Sequence, residues 1–408
     1  MQFSCAGQRK NFYILVYTYM VDWLGFSLPF PLFAYLSLTP NFLYFSYNDS
    51  VLYKMAIIGL LYAFFGVGQL LGNLVFGLFV QKFLSFGCLI TSSLLSILGY
   101  GLLAFGIVEE SLSFLFAGRL MTGIGSGTVL ISQRAVHDLL DPPFKKEGLH
   151  ILFTAGALAF MLGPWIGGKL SNFSWIHGSG GFIFGSFLSL IQFFFTLLFY
   201  KERRFASSSY SKATPPSFLG QVLLIFKQKE SKRLYLVLFF FIFGWTNFLI
   251  FNSLFLVENF SLAVETLGDF FAFYFFIWFF AFFILIRFFS LEKLHIVSLV
   301  CLLLGALGIF AFCQNSILWI FWVIIPILVA SSSLSLGSLE IRLQQHDNLE
   351  MPLLFHGTYL FWMLSLTLGP ILLAPLCAIQ SPLALGIASS SVLIAFLFDA
   401  VTLNKGPK

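Results

Sequence analysis

Charge is what this chain has least of. Asp, Glu, Lys and Arg make up 10% of its 408 residues, whereas an ordinary soluble domain carries about 25%. That shortage sets aside a soluble enzyme or a basic nucleic-acid-binding module as the starting class. Cysteine is scarce too. Cys5, Cys88, Cys301, Cys313 and Cys377 show neither disulfide-type pairing nor metal-ligand spacing, and all but Cys5 stand in apolar surroundings, so they read as small buried hydrophobes. A His cluster, HExxH, GxSxG and a P-loop are all missing, which argues against an integral-membrane enzyme. Repeated pore-like carbonyl loops and a ligand-binding extramembrane domain are missing as well, which argues against a channel or receptor. What abounds is apolar surface: 59% hydrophobic residues with 56 Phe and a mean hydropathy of +0.94. The lipid bilayer is the solvent these numbers imply.

A helix needs about 20 largely apolar residues to cross a bilayer. Twelve stretches qualify, near 12–36, 54–80, 84–107, 111–134, 149–171, 180–200, 234–257, 266–289, 294–313, 316–338, 353–378 and 383–400. Only Gln81, Lys82, Phe83 and Leu84 separate the second from the third. The first runs past signal-peptide length without a small-residue cleavage site, so it counts as a span. The basic residues test the count. With the N-terminus cytoplasmic, 19 of the 22 Lys and Arg fall inside, only Lys54 and Lys169 fall outside, and Arg119 lies within a span. That bias supports twelve spans with both termini cytoplasmic. The longest interruption, 201–233, combines basic residues with Ser207 to Ser211 and the pair Pro215–Pro216, and Phe218 to Phe226 fits a helix at the membrane surface. The organisation read from this is all-α: a six-helix bundle over 1–200, a basic cytoplasmic linker over 201–233, and a second six-helix bundle over 234–408. Six plus six suits two halves rocking about a central cavity, with membrane lipid around them.

Charges inside apolar spans are costly, so each needs an account. Asp22, in the first span, faces either a cavity or a basic partner, where reversible protonation is useful; the alternative is a structural ion pair. Pro29 and Pro31 bend or break the outer part of that helix, where a gate can form. Arg119 keeps its charge under physiological conditions and can stabilise a nearby acid after deprotonation. Gly123 and Gly127, four apart, share a helix face and allow close approach. Gly163, Gly167 and Gly168 remove bulk near Pro164, giving a packed yet bendable segment at an interface that opens, although ordinary packing uses the same glycines. Gln69, Gln133, Gln192, Asn247 and Asn252 are the hydrogen-bonding candidates for a translocation path. Trp245, with Tyr62, Phe65, Tyr274, Trp278 and Trp362, supplies the aromatic contacts that suit hydrophobic organic substrates. His137, His356, Asp138 and Asp141 read as polar residues at span ends.

Together these residues resemble the major facilitator superfamily, specifically its twelve-span drug/proton antiporters that include the tetracycline exporters. Asp22, Gly25, Pro29 and Pro31 resemble that family's first-span signature, and Arg119, Gly123, Gly125 and Gly127 its fourth-span one. Gly163, Pro164, Gly167 and Gly168 resemble the fifth-span antiporter signature. The charge latch of the family between spans 2 and 3 is degenerate here: Gln81 stands where an Asp is expected, and Lys82 is the one basic residue kept. The resemblance implies alternating access, with proton coupling at Asp22 and Arg119, and gating at the Pro and Gly positions and Lys82. It implies export of hydrophobic drugs or related small organic molecules, driven by the proton gradient without a cofactor, nucleic acid or metal. It further implies a functional monomer in a bacterial inner membrane. The alternative is a carrier of a physiological metabolite such as a sugar, amino acid or siderophore, proton-coupled or uniport, which a polar site would favour.

Overall fold

A computed structural model describes residues 6–38, 50–141, 144–171, 178–201, 231–283, 288–290, 293–346 and 351–403. Among the described residues there is no strand. Hydrocarbon offers the backbone no hydrogen-bond partners, so an apolar segment must satisfy its own N–H and C=O groups as a helix. The helices are α1 (Ala6–Ser27), α2 (Phe30–Leu38), α3 (Val51–Val108), α4 (Leu112–Gly125), α5 (Val129–Leu139), α6 (Lys145–Ser171) and α7 (Gly180–Phe199). They continue with α8 (Ser231–Phe260), α9 (Val264–Phe283), α10 (Leu294–Gln314), α11 (Phe321–His346), α12 (Met351–Ile379) and α13 (Ser381–Leu403). Among the described residues, eleven segments are long and apolar enough to cross a membrane. They correspond to the second to twelfth predicted spans, and the first is present in two pieces.

That division follows from proline. The amide of Leu28 still bonds the Leu24 carbonyl at 2.9 Å, but Pro29 has no N–H to offer next, and α1 gives way to a turn at Leu28–Pro29. Pro31 then falls in the first turn of α2, where a missing donor costs nothing.

Local helical geometry runs unbroken through α3, yet α3 is two limbs. Twelve residues of straight helix span about 18 Å, whereas Cys88 Sγ lies 3.9 Å from the Phe76 carbonyl oxygen. The chain therefore doubles back between them, where the sequence placed its break. The side chains of Gln81 and Lys82 lie outside the described residues, as do those of His137, Asp138 and His356 and the linker segment from Phe218 to Phe226.

Packing divides the chain into two compact units, Met1–Pro29 with Phe64–Leu223, and Phe30–Ala63 with Leu224–Lys408. In the first unit, span 4 is wedged between the limbs of α3. A Cβ on Gly123 would collide with the Phe65 carbonyl and reach Gly68, and one on Gly127 would strike the backbone of Gly72 and Asn73. On its other side, Gly118 sits against the backbone of Gly99 and the side chain of Leu103. Backbone-to-backbone approach of this kind supplies the van der Waals attraction that holds helices together where no hydrophobic drive acts between them. In the second unit, α8 packs on α2, α12 and α13, while α10 packs on α11 and α13. Its centre is aromatic: Phe312 lies 5.2 Å from Phe248 and 4.6 Å from Phe321, ring centre to ring centre.

The wedge makes a testable distinction between glycines. Gly123→Ala is expected to cost about 1–3 kcal/mol by overpacking and to lower the melting temperature in detergent. Gly101→Ala, whose added methyl meets open space, should leave the melting temperature unchanged. Equal effects would contradict this packing.

Candidate functional site

Asp22 is fully enclosed in the first unit, in the last two turns of α1. Its partner among the described residues is Thr128, whose Oγ1 donates to Asp22 Oδ2 at 2.9 Å. Thr128 closes a 3-10 turn, Ser126–Thr128, that separates α4 from α5 in the middle of span 4. The hydroxyl of Ser92, on the second limb of α3, is 3.2 Å from the Thr128 hydroxyl. Arg119 is 0% exposed, and its guanidinium carbon lies 4.4 Å from the centre of the Phe65 ring, a cation–π contact.

Tyr100 connects these charges. It lies within electrostatic reach of both Arg119 and Asp22. Its hydroxyl fills the space beside Gly25, where any Cβ would collide, and its ring rests against Gly185 of α7. Gly25, noted as part of a first-span signature, therefore has a local reason: it admits a tyrosine between α1 and α7.

Of the residues expected to gate, those of the fifth span lie against the break in α1, whereas Gly123 and Gly127 pack on the first limb of α3. A Cβ on Gly163 would meet Ser27 and, at 2.8 Å, the Leu24 carbonyl, and one on Gly167 would meet the Leu28 carbonyl. Pro164 lies inside α6 without interrupting it, and Gly168 is buried beside Gly167. Phe160, on the same face of α6, stacks on Phe26 at 5.3 Å. The fifth span thus rests on α1 at the turn set by Pro29.

The amide side chains are buried in both units, in different settings. Gln133 Nε2 donates to the Tyr19 hydroxyl at 3.3 Å, tying α5 to α1. Gln192 lies on the inner stripe of α7 with Gly185, Ser189 and Thr196. In the second unit, Asn247 Nδ2 donates to the Phe243 carbonyl at 2.7 Å, and its side chain occupies the space beside Gly369. Asn252 Nδ2 donates to the Phe248 carbonyl at 2.8 Å. Trp245 stacks on Phe248 at 5.5 Å within the aromatic core. The amide oxygens of Gln69, Gln133, Gln192, Asn247 and Asn252, and Nε2 of Gln192, are buried without a hydrogen-bond partner among the described residues.

Sequence reasoning missed a second buried acid. Asp399, in α13, receives Arg342 Nη1 and Nη2 in a bidentate pair, both at 2.8 Å. It also accepts Ser298 Oγ at 2.9 Å, and His295 Nε2 lies 3.5 Å away. Arg342, one of the 19 basic residues that the orientation assigns to the cytoplasmic side, lies within the span Leu318–Leu343 and is buried. An acid and a base near the ends of two apolar runs were the available signal, although their pairing depends on how α11 and α13 meet.

A helical membrane protein of twelve crossing segments, with a buried charged site inside one unit, is the architecture of a carrier. The comparisons agree. A family-wide profile described as the Major Facilitator Superfamily matches residues 15–344. This chain belongs to that superfamily, and on that membership it is a transporter of small organic molecules by alternating access rather than an enzyme. A mouse protein, major facilitator superfamily domain-containing protein 10, is 38% identical over 63 residues, a match spanning 15% of this chain and 14% of the mouse protein. The fold is similar to that of the human organic anion transporter MFSD10 (TETRAN), with TM-score 0.68, 17% identity, and 96% of this chain and 99% of that one covered. It is also similar to the xylose transporter XylE from E. coli in a partially occluded inward-open conformation, with TM-score 0.71, 13% identity, and 99% and 100% covered.

The Asp399 cluster predicts a stability effect. Asp399→Asn leaves Arg342 buried without its counter-charge, a loss of about 3–5 kcal/mol that should appear as a lowered melting temperature in detergent. Replacing both partners by apolar residues should recover part of the loss. A double variant no more stable than Asp399→Asn would contradict the pairing.

Proposed function

We propose that this chain is a proton-coupled carrier of a physiological small organic solute, with organic anions as its substrate class. The single observation that carries the reading is the Asp22 site: a buried carboxylate held by a hydroxyl, in a neighbourhood that also contains the fixed charge of Arg119. Protonation of Asp22 makes the site one charge more positive, and an anion binds better to that state. Proton and anion then travel together, and an inward proton gradient drives uptake. The five buried amide side chains with unused acceptors favour a polar solute over a purely hydrophobic one. The names of the similar proteins point the same way: an organic anion transporter and a D-xylose–proton symporter.

Drug/proton antiport is the second reading, favoured by the likeness of Gly163, Pro164, Gly167 and Gly168 to an antiporter signature. A cationic or neutral drug would compete with the proton for Asp22, so the two would move in opposite directions. In both readings the two sequence halves are 1–200 and 234–408, joined by 201–233, with Phe30–Ala63 counted in the first half by sequence although it packs in the second compact unit, and the chain works as a monomer with both termini cytoplasmic in a bacterial inner membrane.

The two readings differ in the sign of a pH change. Purified protein in liposomes containing a pH indicator is given external carboxylates, sugars, amino acids or cationic dyes. Anion–proton symport acidifies the interior on adding substrate, whereas drug antiport makes it more alkaline. Asp22→Asn should abolish either signal. Solute uptake without proton movement, unaffected by Asp22→Asn, would overturn the coupling.

A further inference from the structure

Span 4 carries a 3-10 turn in its middle although Leu112–Val136 contains no proline. Interruptions of this kind mark strain or a hinge. The turn is gripped on both sides, since a Cβ on Gly125 would meet Ser96 Oγ and one on Gly127 the backbone of Gly72. Inside the turn the amide of Val129 bonds the carbonyl of Ser126 rather than that of Gly125, as an α-helix would require. The Gly125 carbonyl instead lies 3.3 Å from Thr128 Oγ1.

The Thr128 hydroxyl has one proton and three oxygen neighbours: Asp22 Oδ2 at 2.9 Å, Ser92 Oγ at 3.2 Å and the Gly125 carbonyl at 3.3 Å. An ionised carboxylate is the strongest acceptor of the three. Once Asp22 takes up a proton it becomes a donor itself, and a neutral bond is roughly half as strong. The Thr128 proton stays on its own oxygen throughout, and only its acceptor changes.

We infer that Thr128 is the positioning residue that transmits proton loading at Asp22 to span 4. Its hydroxyl donates to the ionised carboxylate, passes to the Gly125 carbonyl when Asp22 is protonated, and so switches the Ser126–Thr128 turn. This rests on Asp22 being the coupling residue. The groups facing Asp22 fit the role. Tyr100, from the second limb of α3, lies within electrostatic reach of Asp22, and Arg119 of α4 lies within reach of Tyr100. The first limb from Phe64 to Leu78 and all of α7 carry no ionisable side chain. Those of α6 (Lys145, Lys146, Glu147, His150 and Lys169) stand near its ends, and Arg134 of α5 is exposed.

The test compares Thr128→Val, which keeps the shape and loses the donor, with Thr128→Ser, which keeps the donor. Substrate-dependent proton flux is measured across pH, with substrate exchange at equal pH on both sides as the control for folding. A lost charge-assisted hydrogen bond corresponds to about one to two pH units. The valine variant should retain exchange, while the pH midpoint of its coupled flux moves by that amount toward alkaline values, because the ionised carboxylate has lost its donor. The serine variant should keep the wild-type profile. Amide hydrogen exchange over Ser126–Val129 should depend on pH in the wild type and lose that dependence in Thr128→Val and Asp22→Asn. Flux that vanishes in Asp22→Asn together with an unshifted Thr128→Val profile would overturn this inference and leave the coupling reading standing. A serine variant that behaves like valine would also overturn it. Wild-type flux that does not depend on Asp22 would remove both.

Discussion

A carboxylate carried into hydrocarbon must be matched by donors that the protein itself supplies, and the chain meets this demand in two different ways. Asp399 is matched to saturation: both of its oxygens are taken by the Arg342 fork, with Ser298 and His295 beside them. Such a charge stays where it is, and it fastens α10, α11 and α13 together. Asp22 is matched by the hydroxyl of Thr128. A hydroxyl can donate to an ionised carboxylate or accept from a protonated one, so both states of Asp22 are accommodated without a new partner. In this contrast the first acid is a fastening, and the second suits the proton-switching role proposed above.

The rest of the first unit keeps Asp22 in place. Span 4 must bring Thr128 against α1 and Arg119 against Phe65 and within reach of Tyr100 of α3, and a helix can do so only if its backbone runs close to its neighbours. The crossings at Gly123–Gly68 and Gly127–Gly72 allow it. On the other flank of α1, Gly163 and Gly167 press against its outer end, where Pro29 has opened the helix. The turn at the end of α1 and the 3-10 turn of span 4 therefore bracket one buried carboxylate, an arrangement suited to the proposed coupling of a local proton to a larger movement.

Much of this was legible in the sequence because the bilayer imposes its demands locally. Apolar length gave the spans, the scarcity of charge singled out Asp22 and Arg119, and Pro29 announced the break in α1. Four-residue spacing identified the face of Gly123 and Gly127. What the sequence did not show depends on how separate helices meet. Thr128 is an ordinary span residue until α1 lies beside it. Tyr100 is one aromatic among many until Gly25 and Gly185 make room for it. Gly68 and Gly72 acquire meaning only as the surface opposite Gly123 and Gly127. Arg342 looked like a loop cation because the tenth span runs five residues past its predicted end, to Leu343, and Asp399 was absorbed into the last apolar run.

The central claim is that Asp22 couples a proton to transport without being needed to build the carrier. The most direct measurement compares Asp22→Asn with wild type in two modes, substrate exchange across liposomes at equal pH and accumulation driven by a pH gradient. The account predicts exchange close to the wild-type rate and gradient-driven accumulation reduced to background. Loss of both modes in a variant that remains folded, or preservation of both, would contradict it.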